Sequence, residues 1–166
     1  MKVNIKQPNI TQYHFQFEEG DPIYTNCMWA RINLDHDTFT MTATSDCGDY
    51  SYRWHVTESE TFSHLMARLG KDYLLDKISS RCVFIFEDSK RQLEKMQSLY
   101  DWSDTQKERL DELDECSEES FVKFAWDELN IDPHDIPVEK RYPIGAVTFC
   151  ELFCKCLQPI LKDSPK

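Results

Sequence analysis

The chain is 166 residues and 19.7 kDa, 40% hydrophobic and 13% aromatic, which supplies apolar material for a full core and excludes wholesale disorder. Nineteen Lys and Arg stand against thirty Asp and Glu, a net charge of −11, so unaided binding to nucleic acid is disfavoured, because phosphate contacts need cations. No apolar run approaches the roughly 20 residues that cross a bilayer, and the opening Met1-Lys2-Val3-Asn4-Ile5-Lys6 has no secretory apolar core, so the reading is a soluble cytoplasmic protein without a membrane partner.

The charge is uneven. Residues 1–86 carry 8 basic and 11 acidic groups, and residues 87–166 carry 11 and 19. The excess of acid therefore lies in the second half, as an acidic surface that suits solubility, a basic protein partner, or mimicry of a polyanion. Cysteines occur at 27, 47, 82, 116, 150, 154 and 156. Seven is an odd number, and without a secretory signal they read as reduced thiols.

In chain order, Val3–Lys6 and Tyr13–Glu18 are candidates for one or two strands. Ile23–Leu34 is rich in β-formers. Asp35-His36-Asp37 reads as a polar turn. Phe39, Met41 and Ala43 then alternate with Thr38, Thr40, Thr42 and Thr44, the period of a half-buried strand. Ser45-Asp46-Cys47-Gly48-Asp49 is a turn cluster in which Gly48 is free to take positive φ. Tyr50, Tyr52, Trp54 and Val56 alternate again and read as the core face of a strand, with Arg53 and His55 on the solvated face. Thr57 and Glu60 have capping-box spacing and predict a helix start near Thr57. Phe62, Leu65, Met66 and Leu69 make one apolar stripe, and Gly70 stands where a C′ glycine would end the helix. Tyr73, Leu74, Leu75 and Ile78 suggest a second short helix. Cys82–Phe86 is a buried run that periodicity leaves open between strand and helix.

The second half reads as helical. Leu93, Met96, Leu99 and Tyr100 fall at helical spacing over Asp88–Tyr100. Ser103 and Gln106 form a capping-box pair opening an acidic helix over Asp104–Cys116. Ser117 caps a helix carrying Phe121, Phe124, Ala125 and Leu129. Pro133, Pro137 and Pro143 mark an ordered connection. Ala146–Gln158 is a last helix, apolar nearly all round, and Pro159 ends or kinks it.

The stretch Ser45-Asp46-Cys47-Gly48-Asp49-Tyr50-Ser51-Tyr52-Arg53-Trp54 resembles a motif of small phage- and prophage-encoded proteins, with turn, glycine and alternating aromatics in register. The resemblance continues into Phe62 and into Asp72-Tyr73-Leu74-Leu75-Asp76-Lys77-Ile78, so it covers residues 38–80. It implies a phage context and brings no catalytic residues with it. By association, small acidic phage proteins often inhibit host defence or host enzymes.

The sharpest feature is the acidic segment 101–119. Asp104, Glu108, Asp111, Glu115 and Glu118 step by 4, 3, 4 and 3, which on one unbroken helix places five carboxylates on a single face. Glu112 and Glu119 flank them. Against Lys and Arg, such a face stands where phosphates would; the plain alternative is a solvated helix face with Leu110 and Leu113 packed underneath. Tyr100, Trp102 and Trp126 are the candidate apolar anchors beside it. Cys150, Cys154 and Cys156 read as small buried thiols, and Cys47 as the exposed one. The five histidines reproduce no metal-ligand spacing. There is no nucleophile elbow, P-loop or dinucleotide fingerprint.

The expectation is therefore an α+β protein, with an N-terminal antiparallel sheet of three to five strands packed by helices and a helical C-terminal half. Residues 1–166 read as one domain with a lobe boundary near residue 86. No catalytic, cofactor-binding or metal residues are expected. The expected role is a non-catalytic, phage-type inhibitor that occupies the basic surface of a bacterial host nucleic-acid-handling or defence factor, such as a CRISPR effector or a restriction enzyme. The partner-binding residues are Asp104, Glu108, Asp111, Glu112, Glu115, Glu118, Glu119 and Trp102. The alternative is a phage accessory protein with a structural or assembly role that self-associates through its apolar last helix, a homodimer being the candidate assembly, with an enzyme assembled from distant acids and histidines as a third reading.

Overall fold

A computed structural model describes residues 1–3, 5–57 and 59–163. The chain divides into two compact units, residues 1–80 with 142–166, and residues 81–141. The second is thus inserted between the sheet and the last helical run.

The first unit is built on a four-stranded antiparallel meander: β1 (Ile10–Gln16), β2 (Trp29–Asp35), β3 (Thr40–Ser45) and β4 (Tyr50–Arg53), in the order β1-β2-β3-β4. Pairing places Tyr13 opposite Ile32, Ile32 opposite Ala43, and Ala43 opposite Tyr50, one row across the whole sheet. That row and its neighbours Leu34 and Met41 make the buried face. The other face carries Gln12, Asn33 and Thr42, joined by side-chain hydrogen bonds of 2.7 and 3.3 Å. A period of two thus separates a wet face from a dry one. The Tyr13–Glu18 candidate is realised as β1. Ile23–Asn26 form turns ahead of β2 rather than part of it. Asn4, within the Val3–Lys6 candidate, lies outside the described residues; Val3, Ile5 and Lys6 are exposed and outside the sheet. Asp35 organises the β2–β3 turn, accepting from the backbone N–H of Asp37 and from the hydroxyl of Thr38. Gly48 has φ 129° in the β3–β4 turn, as its place in the sequence predicts.

Helix α1 (Phe62–Arg68) carries the predicted stripe, and Phe62, Leu65, Met66 and Leu69 are all buried. Its cap is Thr61, whose hydroxyl accepts from the His64 N–H at 3.2 Å, not Thr57. Thr57 instead opens a turn, and Glu60 leaves the cap to grip Arg68 with two bonds of 2.6 and 2.8 Å. Glu58 lies outside the described residues. Gly70 does not take the left-handed conformation; at φ −70° it is the N-cap of α2 (Lys71–Ile78). The carbonyls that a left-handed glycine would leave to the turn are met otherwise, since buried Gln158 donates to the Met66 and Leu69 oxygens at 3.0 and 2.8 Å.

The last helical run starts as α6 (Ile144–Leu152), passes through a π-turn at Phe153–Leu157 and continues as α7 (Gln158–Asp163). Pro159 neither ends nor breaks it. The wider turn just upstream accommodates the missing N–H and the ring. The run Ile144–Asp163 is 20 residues with a mean hydropathy of 1.4, long and apolar enough to span a membrane, but half of that stretch is buried inside the protein. Phe149 and Phe153 are fully buried, and Tyr50 lies 4.7 Å from the Phe149 ring centre. Helix α7 packs on α1, and α6 on α2.

Gly145 is where α6 meets the β3–β4 turn. A Cβ built there would stand 2.1 Å from the Cys47 carbonyl oxygen, a backbone atom with little room to give. Gly145→Ala is therefore expected to destabilise the first unit by about 1–3 kcal/mol. A thermal melt checks this, and an unchanged midpoint would show that the turn and helix separate freely.

The second unit contains a short ribbon, β5 (Val83–Phe84) paired with β6 (Lys140–Arg141), and helices α3 (Phe86–Lys95), α4 (Asp104–Asp111) and α5 (Glu118–Leu129). Its core joins Phe86, Leu93, Trp102, Leu110, Phe121 and Leu129. Ser89 is fully buried yet satisfied: its hydroxyl donates to the Ile85 carbonyl at 2.7 Å and accepts from the Glu139 N–H at 2.9 Å. The Cys82–Phe86 run resolves into β5 followed by the start of α3. α3 ends at Lys95, short of the Tyr100 that the helical spacing predicts, and a 3-10 turn follows; Leu99 beyond it is 79% exposed.

Candidate acidic docking surface

The second unit holds nine Lys and Arg against seventeen Asp and Glu, so it carries −8 of the chain's −11. Its acids are positioned by the two caps that the sequence predicts. Ser103 and Gln106 close a full capping box at the start of α4, and the Ser117 hydroxyl accepts from the Ser120 N–H at the start of α5. Asp104, Glu118 and Glu119 fall in first turns, where the helix dipole favours negative charge.

The five-carboxylate face of one long helix does not exist. α4 stops at Asp111 instead of running to Cys116. Lys90 of α3 meets the chain where the helix stops, its Nζ donating to the carbonyls of Asp111 and Leu113 at 3.1 and 2.9 Å. It supplies at the C-terminal end the cation that an orphan carbonyl row attracts. Asp104, Glu108 and Asp111 therefore share α4, Glu112 is its C-cap, Glu115 stands in the connection, and Glu118 and Glu119 open α5.

The carboxylates fall into two groups. Asp104 pairs with Lys107 at 3.3 Å, Glu118 with Lys140 at 2.8 Å, and Glu128 with Arg109. Among the described residues, Glu108, Asp111, Glu112, Glu115 and Glu119 are exposed and have no ion-pair partner. Asp111 and Glu112 lie at the end of α4 where the dipole disfavours anions, so helix stability does not account for them. Glu115 also borders an open cleft of about 310 Å³, shared with Lys90, Arg91, Glu87 and Asp114.

Trp102 is no surface anchor. It is buried, stacked on Tyr100 with ring centres 5.9 Å apart, and it belongs to the core of this unit. The exposed apolar residues near these acids in the chain are Trp126, 57% exposed on α5, and Leu99. Trp126 is among the anchors the sequence names; Leu99 enters the sequence reading only by its helical spacing with Leu93 and Met96. Cys150 is buried as expected. Cys154 and Cys156 are half-buried, and the exposed thiol is Cys82, whereas Cys47 is half-covered.

Residues 3–163 match the model of a phage protein family, Phage_phiTE_072. No curated protein and no solved structure matches the chain. The match spans both compact units, in agreement with the phage context that the Ser45–Trp54 motif implies, and the chain belongs to this phage family.

Proposed function

We propose that this phage protein is a non-catalytic binding protein whose 81–141 unit occupies a basic surface on a bacterial host factor, inside the host cytoplasm. The observation that carries the reading is that, of the seven acids the sequence singles out, Glu108, Asp111, Glu112, Glu115 and Glu119 are exposed with no ion-pair partner among the described residues, in a unit of net charge −8. Two of them stand against the dipole of their own helix. The chemistry they suit is a surface of Lys and Arg, which in a host cell is chiefly a surface built to hold nucleic acid. A nucleic-acid-handling or defence protein, such as a CRISPR effector or a restriction enzyme, is the class of target proposed. The protein then acts as a mimic of the polyanion and does not contact nucleic acid itself. Trp126 and Leu99 supply the apolar contact that charge alone lacks.

For the self-association alternative, Phe149 and Phe153 of the last helical run lie in the core of the first unit, and Ile144 and Ile160 are the large apolar residues the run leaves exposed.

The test is affinity purification from nuclease-treated host lysate with a rising salt wash. One basic, nucleic-acid-handling protein retained at low salt and released as salt rises is the expected result. A retained partner that is acidic, or one indifferent to salt, would overturn the proposal.

A further inference from the structure

Twenty residues apart in sequence, Cys27 and Cys47 meet in the first unit with their sulfurs 3.3 Å apart. Asp46 completes the group, and the three donor atoms all lie within 4.8 Å of one another. We propose that Cys27, Asp46 and Cys47 form a binding site for a thiophilic divalent cation, and that Zn²⁺ is the ion this donor set suits best.

The sulfurs stand as two reduced thiols, with Cys47 donating to Cys27. Two thiolates on one tetrahedral zinc stand roughly 3.8 Å apart, from bonds of about 2.3 Å, so the pair has to open by only about 0.5 Å to share an ion.

The surroundings hold the donors in place. The Asp46 carboxylate accepts from the backbone N–H groups of Met28 and Trp29 at 2.8 and 3.4 Å. The Ser45 hydroxyl lies 3.2 Å from the Cys47 sulfur and donates to the Gly48 carbonyl at 2.6 Å. The Tyr50 hydroxyl donates to the Cys47 carbonyl at 2.8 Å, and Gly145 packs closely against that same oxygen. Such outer contacts orient ligands and are part of a metal site's affinity. Cys27 is 1% exposed and Cys47 half-buried, while Asp46 is exposed, so the site is closed beneath and open to solvent above. Three protein donors leave the fourth tetrahedral position to water.

Binding moves protons and no electrons. Each thiol gives its proton to solvent, two sulfur–metal bonds and one carboxylate–metal bond form, and the cation sheds water in exchange. The site then bears two thiolates and a carboxylate against two positive charges, a net −1. It joins the segment before β2 to the β3–β4 turn, so an ion bound there stabilises the folded state by mass action.

The test is titration of the reduced, full-length protein with Co²⁺, then Zn²⁺. The expected result is one Co²⁺ per chain, a sulfur-to-cobalt charge-transfer band, and loss of that band when Zn²⁺ is added. Cys47→Ser should abolish the band, and Asp46→Asn should weaken binding at least about tenfold, with circular dichroism showing each variant folded. The Cys154→Ser/Cys156→Ser protein should keep both band and stoichiometry. No band in the folded wild type, or a band that survives Cys47→Ser and vanishes in the Cys154→Ser/Cys156→Ser protein, would overturn the proposal. So would a Cys27–Cys47 disulfide on purification that takes up no metal once reduced.

Discussion

Phe149→Ala is expected to destabilise the first unit by about 3–5 kcal/mol, the range for emptying a fully buried aromatic site. Phe149 is 0% exposed, packs 4.7 Å from the Tyr50 ring and 6.5 Å from the Phe153 ring, and lies on the helical run that closes the sheet's apolar face. Its neighbours are held from both sides by the meander and by the rest of α6, so collapse into the space is limited. For a protein of this size each kcal/mol shifts the melting midpoint by about 2–4 °C, so a fall on the order of 6–20 °C should be read by calorimetry. A fall below about 3 °C, accompanied by loss of an oligomer in light scattering, would show instead that Phe149 serves an interface between copies.

Reversing Glu108, Asp111, Glu115 and Glu119 to Lys is expected to leave the fold intact and weaken the host complex by roughly 10- to 1000-fold, the range over which charge steering alters association. The four are chosen because they are exposed and have no ion-pair partner among the described residues, so no pair seen there is broken. Asp104 and Glu118 are left in place because they pair with Lys107 and Lys140. The exchange moves the net charge from −11 to −3. Surface changes of this kind usually cost within about 0.5 kcal/mol each, and Lys at position 111 should be better tolerated than Asp by the α4 dipole. The melt of the variant separates lost binding from lost folding.

The local signals were legible in the sequence. Alternation in Phe39–Thr44 and Tyr50–Trp54 located the strands, because a half-buried strand writes its two faces in a period of two. The Ser103–Gln106 box and the Ser117 cap were readable for the same reason: both partners lie within one helical turn. What escaped involves residues far away in the chain. α4 ends where Lys90, 21 positions upstream, meets its carbonyls. Gly70 needs no left-handed turn because Gln158 caps α1 from 89 positions away. Pro159 fits because the π-turn widens the helix before it. The acidic site was legible as composition and not as geometry, since a repeating 4-3 spacing means one face only while the helix lasts. Trp102 was misplaced because an aromatic in an acidic segment looks exposed until its core is known. The Cys27–Cys47 meeting depends on the antiparallel register of β2 on β3, which brings Ala30 opposite Ser45 and no linear spacing records.

The central claim is that the carboxylates of the second unit dock on a basic host surface. Its most direct test is the equilibrium affinity for the captured partner, measured for the wild type and the four-residue reversal variant over a range of salt. The account expects wild-type affinity to fall steadily as salt rises, and the variant to bind weakly with a much flatter salt response. Equal affinities with equal salt dependence would contradict it, and would leave the acidic face as solvated surface alone.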